Sequence, residues 1–202
     1  MPLTCGERFS ATISPPTGDT MNTIITTAER SVSRTKEEII KEAMRIEEST
    51  QFSSKGHFNA AAIFGWVHLL LGLPMVVFAA VVSASAFALF DKDGTLTGTL
   101  AIVVVILSSI STFLNPNKRA SEHLNAGNKY DALLNKVRIF RTIECWEQDS
   151  DQVLSERLRR HSEDKTTLNQ NSPQIPWLAY RLAKWGIRKG EAEYAVDKPP
   201  AS

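Results

Sequence analysis

Residues 58–90 read FNAAAIFGWVHLLLGLPMVVFAAVVSASAFALF, and residues 95–117 read TLTGTLAIVVVILSSISTFLNPN. Neither contains Asp, Glu, Lys or Arg, and only Asp91-Lys92-Asp93-Gly94 separates them. A hydrocarbon layer of roughly 30 Å takes about 20 helical residues to cross, so each run is long enough. A piece such as Ile102-Val103-Val104-Val105-Ile106-Leu107 suits a buried strand in a soluble protein. Two such runs back to back, with no polar face wide enough to meet water, instead predict a membrane-spanning helical hairpin, with spans at about 60–89 and 95–115.

Basic residues flanking the spans set the expected orientation. Arg45 and Lys55 precede the first span, Lys118, Arg119 and Lys129 follow the second, and the turn carries Lys92 alone. Both termini are therefore expected on the cytoplasmic side and the 91–94 turn outside.

The rest of the 202-residue chain is polar enough to bring the mean hydropathy down to −0.16. A net charge of +1 gives no global field for nucleic acid. Cys5 and Cys145 lie far apart, offering neither a disulfide framework nor metal-ligand spacing. Residues 1–34 read as a disordered lead, of which 1–20 lack the apolar core of a secretory signal, and either Met1 or Met21 would serve as the start. Thr35-Lys36-Glu37-Glu38 fits a capping box opening a helix whose apolar face carries Ile39, Ala43 and Ile46. Ser49 to Gly56 is weaker helix material and reads as a break before the membrane.

Within the first span, Ala61, Gly65, His68, Gly72, Ala79, Ser83 and Ala86 fall in one narrow arc at helical spacing. Helices in lipid pack through small residues, so this arc predicts a helix–helix seam. Pro74 is expected to kink the helix. In the second span Thr97, Ala101, Ser108, Ser111, Thr112 and Asn115 form a comparable stripe. Two readings compete: the stripes face each other within one hairpin, or several copies assemble with the hydroxyls along a narrow aqueous path. His68, the sole titratable group inside a span, is either a functional site or a neutral ring bonded on a Gly-rich seam.

Asn115-Pro116 predicts a new helix, with Asn as N-cap and Pro at the first position, running to about Gln148. His123, Tyr130, Leu133, Leu134 and Val137 share one face of it; Ile139, Phe140, Ile143 and Trp146 occupy another. Residues 149–176 read as a polar linker with one short helix, 153–161, and a loop at 166–173. From Trp177 a basic amphipathic helix follows. Leu178, Leu182 and Trp185 lie together and Arg181, Lys184 and Arg188 opposite, which suits an anionic membrane surface or a cap on the cytoplasmic helices. The end of the 177–202 segment reads as a disordered tail. The expected fold is thus an all-α membrane protein: a two-helix transmembrane hairpin flanked by an N-terminal and a long C-terminal cytoplasmic helix.

No phosphate loop, Cys-x-x-Cys or His-Glu-x-x-His arrangement is present, and the histidines at 57, 68, 123 and 161 stand far apart in sequence. Neither an enzyme, a cofactor, a metal nor direct nucleic-acid binding is expected.

The junction Thr112-Phe113-Leu114-Asn115-Pro116-Asn117-Lys118-Arg119-Ala120, followed by His123, Ala126, Tyr130, Leu134 and Arg138, resembles the SLATT domain. That is the two-transmembrane effector domain associated with SMODS and SLOG proteins in bacterial conflict systems. The similarity covers about 36–146, placing a SLATT-like domain at 35–148. It implies a homo-oligomeric effector that permeabilises the inner (cytoplasmic) membrane of a phage-infected cell. A nucleotide-signal synthase, sensor or reverse transcriptase encoded nearby would trigger it. Pro116, His123, Tyr130 and Arg138 match recurring family positions at the membrane junction, where the implied role is structural. A non-conducting anchor or scaffold that recruits a cytoplasmic partner is the rival reading.

Overall fold

A computed structural model describes residues 18–85, 93–147, 149–191 and 194, with 18–33 as backbone only. The lead up to residue 17, Ala86 and the end of the first span, Asp91 and Lys92 of the turn, and the tail from 195 lie outside the described residues. Every element is helical: α1 (Gly18–Ser85), α2 (Thr95–Leu114), α3 (Pro116–Thr142), a short 3-10 turn (Glu144–Trp146), α4 (Asp151–Asn171) and α5 (Trp177–Arg188).

Helix α1 is one rod of 68 residues, about 100 Å at 1.5 Å per residue. Sequence expectations differ from this in two places. The helix starts at Gly18 and not at Thr35, since no proline or glycine interrupts residues 19–34. It also runs unbroken through residues 49–56, where neighbours approach too closely for large side chains. Thr50, Ser54 and Gly56 are buried there, and the Ser54 hydroxyl donates to the carbonyl of Gly127 at 3.3 Å. A Cβ on Gly56 would stand 2.9 Å from the Ile175 side chain, and one on Gly127 2.9 Å from the Phe58 ring.

Helices α2 and α3 return along α1, joined through Asn115, whose φ of 43° lies in the left-handed region. Asn tolerates that conformation, and its side chain caps α3 by accepting the Lys118 N–H at 3.4 Å. Pro116 then opens α3, as the Asn-Pro dipeptide predicts.

A seven-residue repeat holds the two limbs together. On α1, Ala43, Thr50, His57, Phe64, Leu71, Phe78 and Ser85 follow one another at that interval, with Ile39, Ile46, Ala60, Val67, Pro74 and Val81 between them. All are buried or half-buried. On α3, Pro116, His123, Tyr130 and Val137 repeat in the same way, with Ala126, Leu133 and Phe140 between. This is the seam spacing of coiled coils. It continues from the polar half of α1 into its apolar half.

The core lies at the polar end: Ile39, Ala43 and Ile46 of α1 meet Leu133, Val137 and Phe140 of α3, closed by Cys145 and Leu154. Of the second apolar face expected on α3, Phe140 is buried, whereas Ile139, Ile143 and Trp146 are exposed. A half-buried ion pair, Arg141 Nε to Glu47 Oε2 at 2.6 Å, braces the same region.

Helix α4 corrects the expectation of a short helix and a loop at 166–173. It is continuous to Asn171 because Leu158 and Leu168 pack on the core beside the buried Leu154. Such packing overrides the weak helix propensity of its Thr and Asn residues. Those side chains also satisfy the backbone: Thr166 donates to the Ser162 carbonyl at 2.9 Å and Asn171 to that of Thr167 at 2.8 Å.

Two stretches, within α1 and from α2 onward, are long and apolar enough to cross a membrane, and none of their most apolar portion is buried inside the chain's own fold.

Candidate functional site

Where the polar and apolar halves of the rod meet, the repeat places imidazoles at facing positions. The four histidines are dispersed in sequence, yet the fold joins two of them: Nδ1 of His57 lies 2.9 Å from Nδ1 of His123. His57 stacks on Tyr130, with ring centroids 5.3 Å apart, and His123 stacks on Phe64 at 5.5 Å. All but Phe64 are nearly inaccessible, at 2% (His57), 4% (His123) and 2% (Tyr130) exposure. Tyr130 extends the chain of contacts by donating its hydroxyl to Asn169 Oδ1 of α4 at 2.7 Å.

Burial, then the neighbouring His123, pulls the His57 imidazole down to about 4. Burial likewise lowers His123, which Glu122 partly opposes and Arg119 reinforces. Both rings are therefore neutral near pH 7. A hydrogen bond between two neutral Nδ1 atoms requires different tautomers, one ring carrying its proton on Nδ1 and the other on Nε2. The pair fixes the register of α1 against α3, much as a single polar residue does in a coiled-coil seam. Among the described residues no group of three His, Cys, Asp or Glu side chains is placed to hold a metal.

The small-residue arc of α1 does not form the hairpin's internal seam. Gly65, His68, Ala79 and Ser83 face outward, while Ala61 and Gly72 are half-covered. Nothing lies within 4 Å of a Cβ built on Gly65 or Gly72. The covered side of α1 in its apolar half is instead the continuation of the repeat, with Leu71, Phe78 and Val81 half-buried. The stripe on α2 divides. Thr97, Ala101 and Ser111 are half-buried toward α1, with Thr97 donating to Ser85 Oγ at 2.6 Å. Ser108, Thr112 and Asn115 point outward. Ser83 and Ser109 return their hydroxyls to carbonyls one turn back, at 2.8 Å each. Ser108 and Thr112 make no side-chain hydrogen bond among the described residues.

Helix α5 lies across α1 just below the apolar run. Its packed face is Ala179, Ala183 and Gly186, small enough for backbone contact, and Asn59 Nδ2 donates to the Ala179 carbonyl at 3.4 Å. An ion pair from Lys55 to Glu191, 2.7 Å, fixes its far end. The side carrying Leu178, Leu182 and Trp185 therefore does not cover the helices; it is exposed, with Trp177, as are Arg181, Lys184 and Arg188. Arg138 sits 4.5 Å from the Tyr194 ring centroid and donates to Asn135 at 3.0 Å, away from the imidazole pair.

Of the junction positions singled out from sequence, the fold brings His123 and Tyr130 into one cluster. Pro116 is buried at the head of α3, and Arg138 stands apart. His57 and Phe64 were missed. Their signal was the seven-residue interval from Ala43 and Thr50, concealed because the intervening members are polar or aromatic. Comparison of the chain with protein-family models, curated proteins and solved structures finds no match.

Proposed function

We propose that this chain is the SLATT-like effector its junction resembles: a homo-oligomer in the inner membrane that opens an ion-permeable path when a linked nucleotide-signalling or sensor protein acts on its cytoplasmic helices. Both termini lie in the cytoplasm, and α1 beyond the level of Phe64, together with α2, is immersed in lipid. The observation that carries the reading is the pairing of two uncovered apolar helices with hydroxyls aimed away from their own hairpin. In hydrocarbon, an unsatisfied polar group is costly and is tolerated against protein or water. Ser83 and Ser109 meet that cost within their own helices; for Ser108 and Thr112, neighbouring copies supply the partner. Ser108 and Thr112 then line the contact or the path, with Gly65 and Gly72 admitting close approach of the next subunit.

The polar bundle transmits the trigger. The α1–α3 seam is continuous into the apolar half, so a shift at the core around Ile46 and Val137 reaches the spans along one rod. A partner that favours the open assembly need only bind it more tightly than the closed one.

Expression with the neighbouring genes, followed by a membrane-potential dye, tests this. A confirmed trigger should depolarise the wild type, and Ser108→Leu with Thr112→Leu should abolish depolarisation while assembly persists. Full activity in that double variant would favour the non-conducting scaffold.

A further inference from the structure

The left-handed break at Asn115 leaves a hollow of about 450 Å³ between α1, the α2–α3 junction and the segment before α5. Apolar Phe64, Phe113 and Leu114 line it together with Lys118, Arg119 and Glu122. Phe113 is 88% exposed, more than any other large apolar residue described. Lys118 is loosely matched to Glu122, Nζ to Oε1 3.8 Å. Arg119 lies over the Phe64 ring at 5.8 Å and has no carboxylate partner among the described residues. These are the first cations after the uncharged run of 95–117.

We infer that this hollow is a binding site for the phosphate of an anionic phospholipid, its acyl chain lying along Phe113 and Leu114. The inference rests on the membrane-spanning reading, which sets the hollow at the level where headgroups meet hydrocarbon. An unmatched guanidinium presents a planar fork of donors suited to a phosphodiester. The first turn of α3 adds favourable dipole to the same point. Apolar lining in the same hollow as the cations distinguishes a lipid from a free anion, which would gain nothing from Phe113. Basic pockets on the cytoplasmic side of spanning helices hold anionic headgroups by this combination.

Full-length protein in neutral detergent, titrated with phosphatidylglycerol or phosphatidylcholine and read by native mass spectrometry, tests the site. Phosphatidylglycerol should be retained in preference. Arg119→Gln should weaken it about fivefold, the factor expected of one basic residue at an anionic surface, while phosphatidylcholine is unaffected. Arg119→Lys should keep part of the preference, and Arg160→Gln, on the exposed side of α4, all of it. Wild-type preference in Arg119→Gln with unchanged helix content would overturn the site. An equal loss in Arg160→Gln would do so too, by assigning the effect to diffuse charge. Displacement by equimolar inorganic phosphate would identify an anion site without lipid specificity and refute the proposal. Protein that embeds in bilayers but ignores the headgroup would sink this inference alone. Protein that never enters a bilayer would sink the spanning reading with it.

Discussion

A buried imidazole stabilises a fold only while it stays neutral. His57 titrates near 4 in the folded protein, against about 6.5 in an unfolded chain. The unfolded state therefore binds more protons between those values, and stability falls as pH drops below about 6.5, levelling out below about 4. From pH 7.5 to 5 the loss from this one group is on the order of 2 kcal/mol. His123 and His161, both lowered by burial, act in the same direction. Thermal unfolding followed by circular dichroism in detergent should thus show a lower Tm at pH 5. His57→Phe should lower Tm at pH 7.5, because His123 loses its partner, and yet flatten the pH dependence. Equal wild-type Tm at both pH values would contradict the buried neutral pair. Little of this was legible in sequence. His123 and Tyr130 could be singled out at the junction, but a partner 66 residues away appears only when α3 is laid antiparallel on α1.

At the scale of elements, what could be read from sequence was what local chemistry dictates. The apolar runs, the Asn115–Pro116 start of α3 and the onset of α5 at Trp177 each carry a local cause: absence of charge, a cap, a proline. The extent of α4 and the continuity of α1 do not. Thr166, Thr167, Asn169 and Asn171 favour turns in isolation, and they are helical because Leu154, Leu158 and Leu168 anchor the helix to the α1–α3 core. Leu154 is fully buried, so Leu154→Ala should cost about 2–5 kcal/mol, the transfer term plus the cavity left behind. Hydrogen exchange should then accelerate over Asp151–Asn171 more than over α2. Unchanged protection there would mean that α4 holds by its own propensity. The small-residue arc teaches the converse lesson. Periodicity identified Gly65, Gly72 and Ser83 as one face, but the sequence alone does not say whether that face meets α2; in the fold Gly65 and Ser83 are exposed.

The whole molecule is a long antiparallel hairpin, polar and braced at one end, apolar and uncovered at the other. At the polar end α4 and α5 pack against the rod, with ion pairs such as Glu47–Arg141 and Lys55–Glu191. At the other, residues such as Trp66, Leu70, Leu73, Val76, Ile102 and Val105 are exposed. Apolar surface on that scale is not left to water by a monomeric protein. Insertion in lipid is therefore the claim on which the oligomer, the permeable path and the phospholipid site all depend. Alkaline carbonate extraction of membranes from expressing cells, followed by ultracentrifugation without detergent, tests it most directly. The account predicts that the chain stays in the pellet with the bilayer. Recovery in the supernatant as a well-behaved monomer would contradict it.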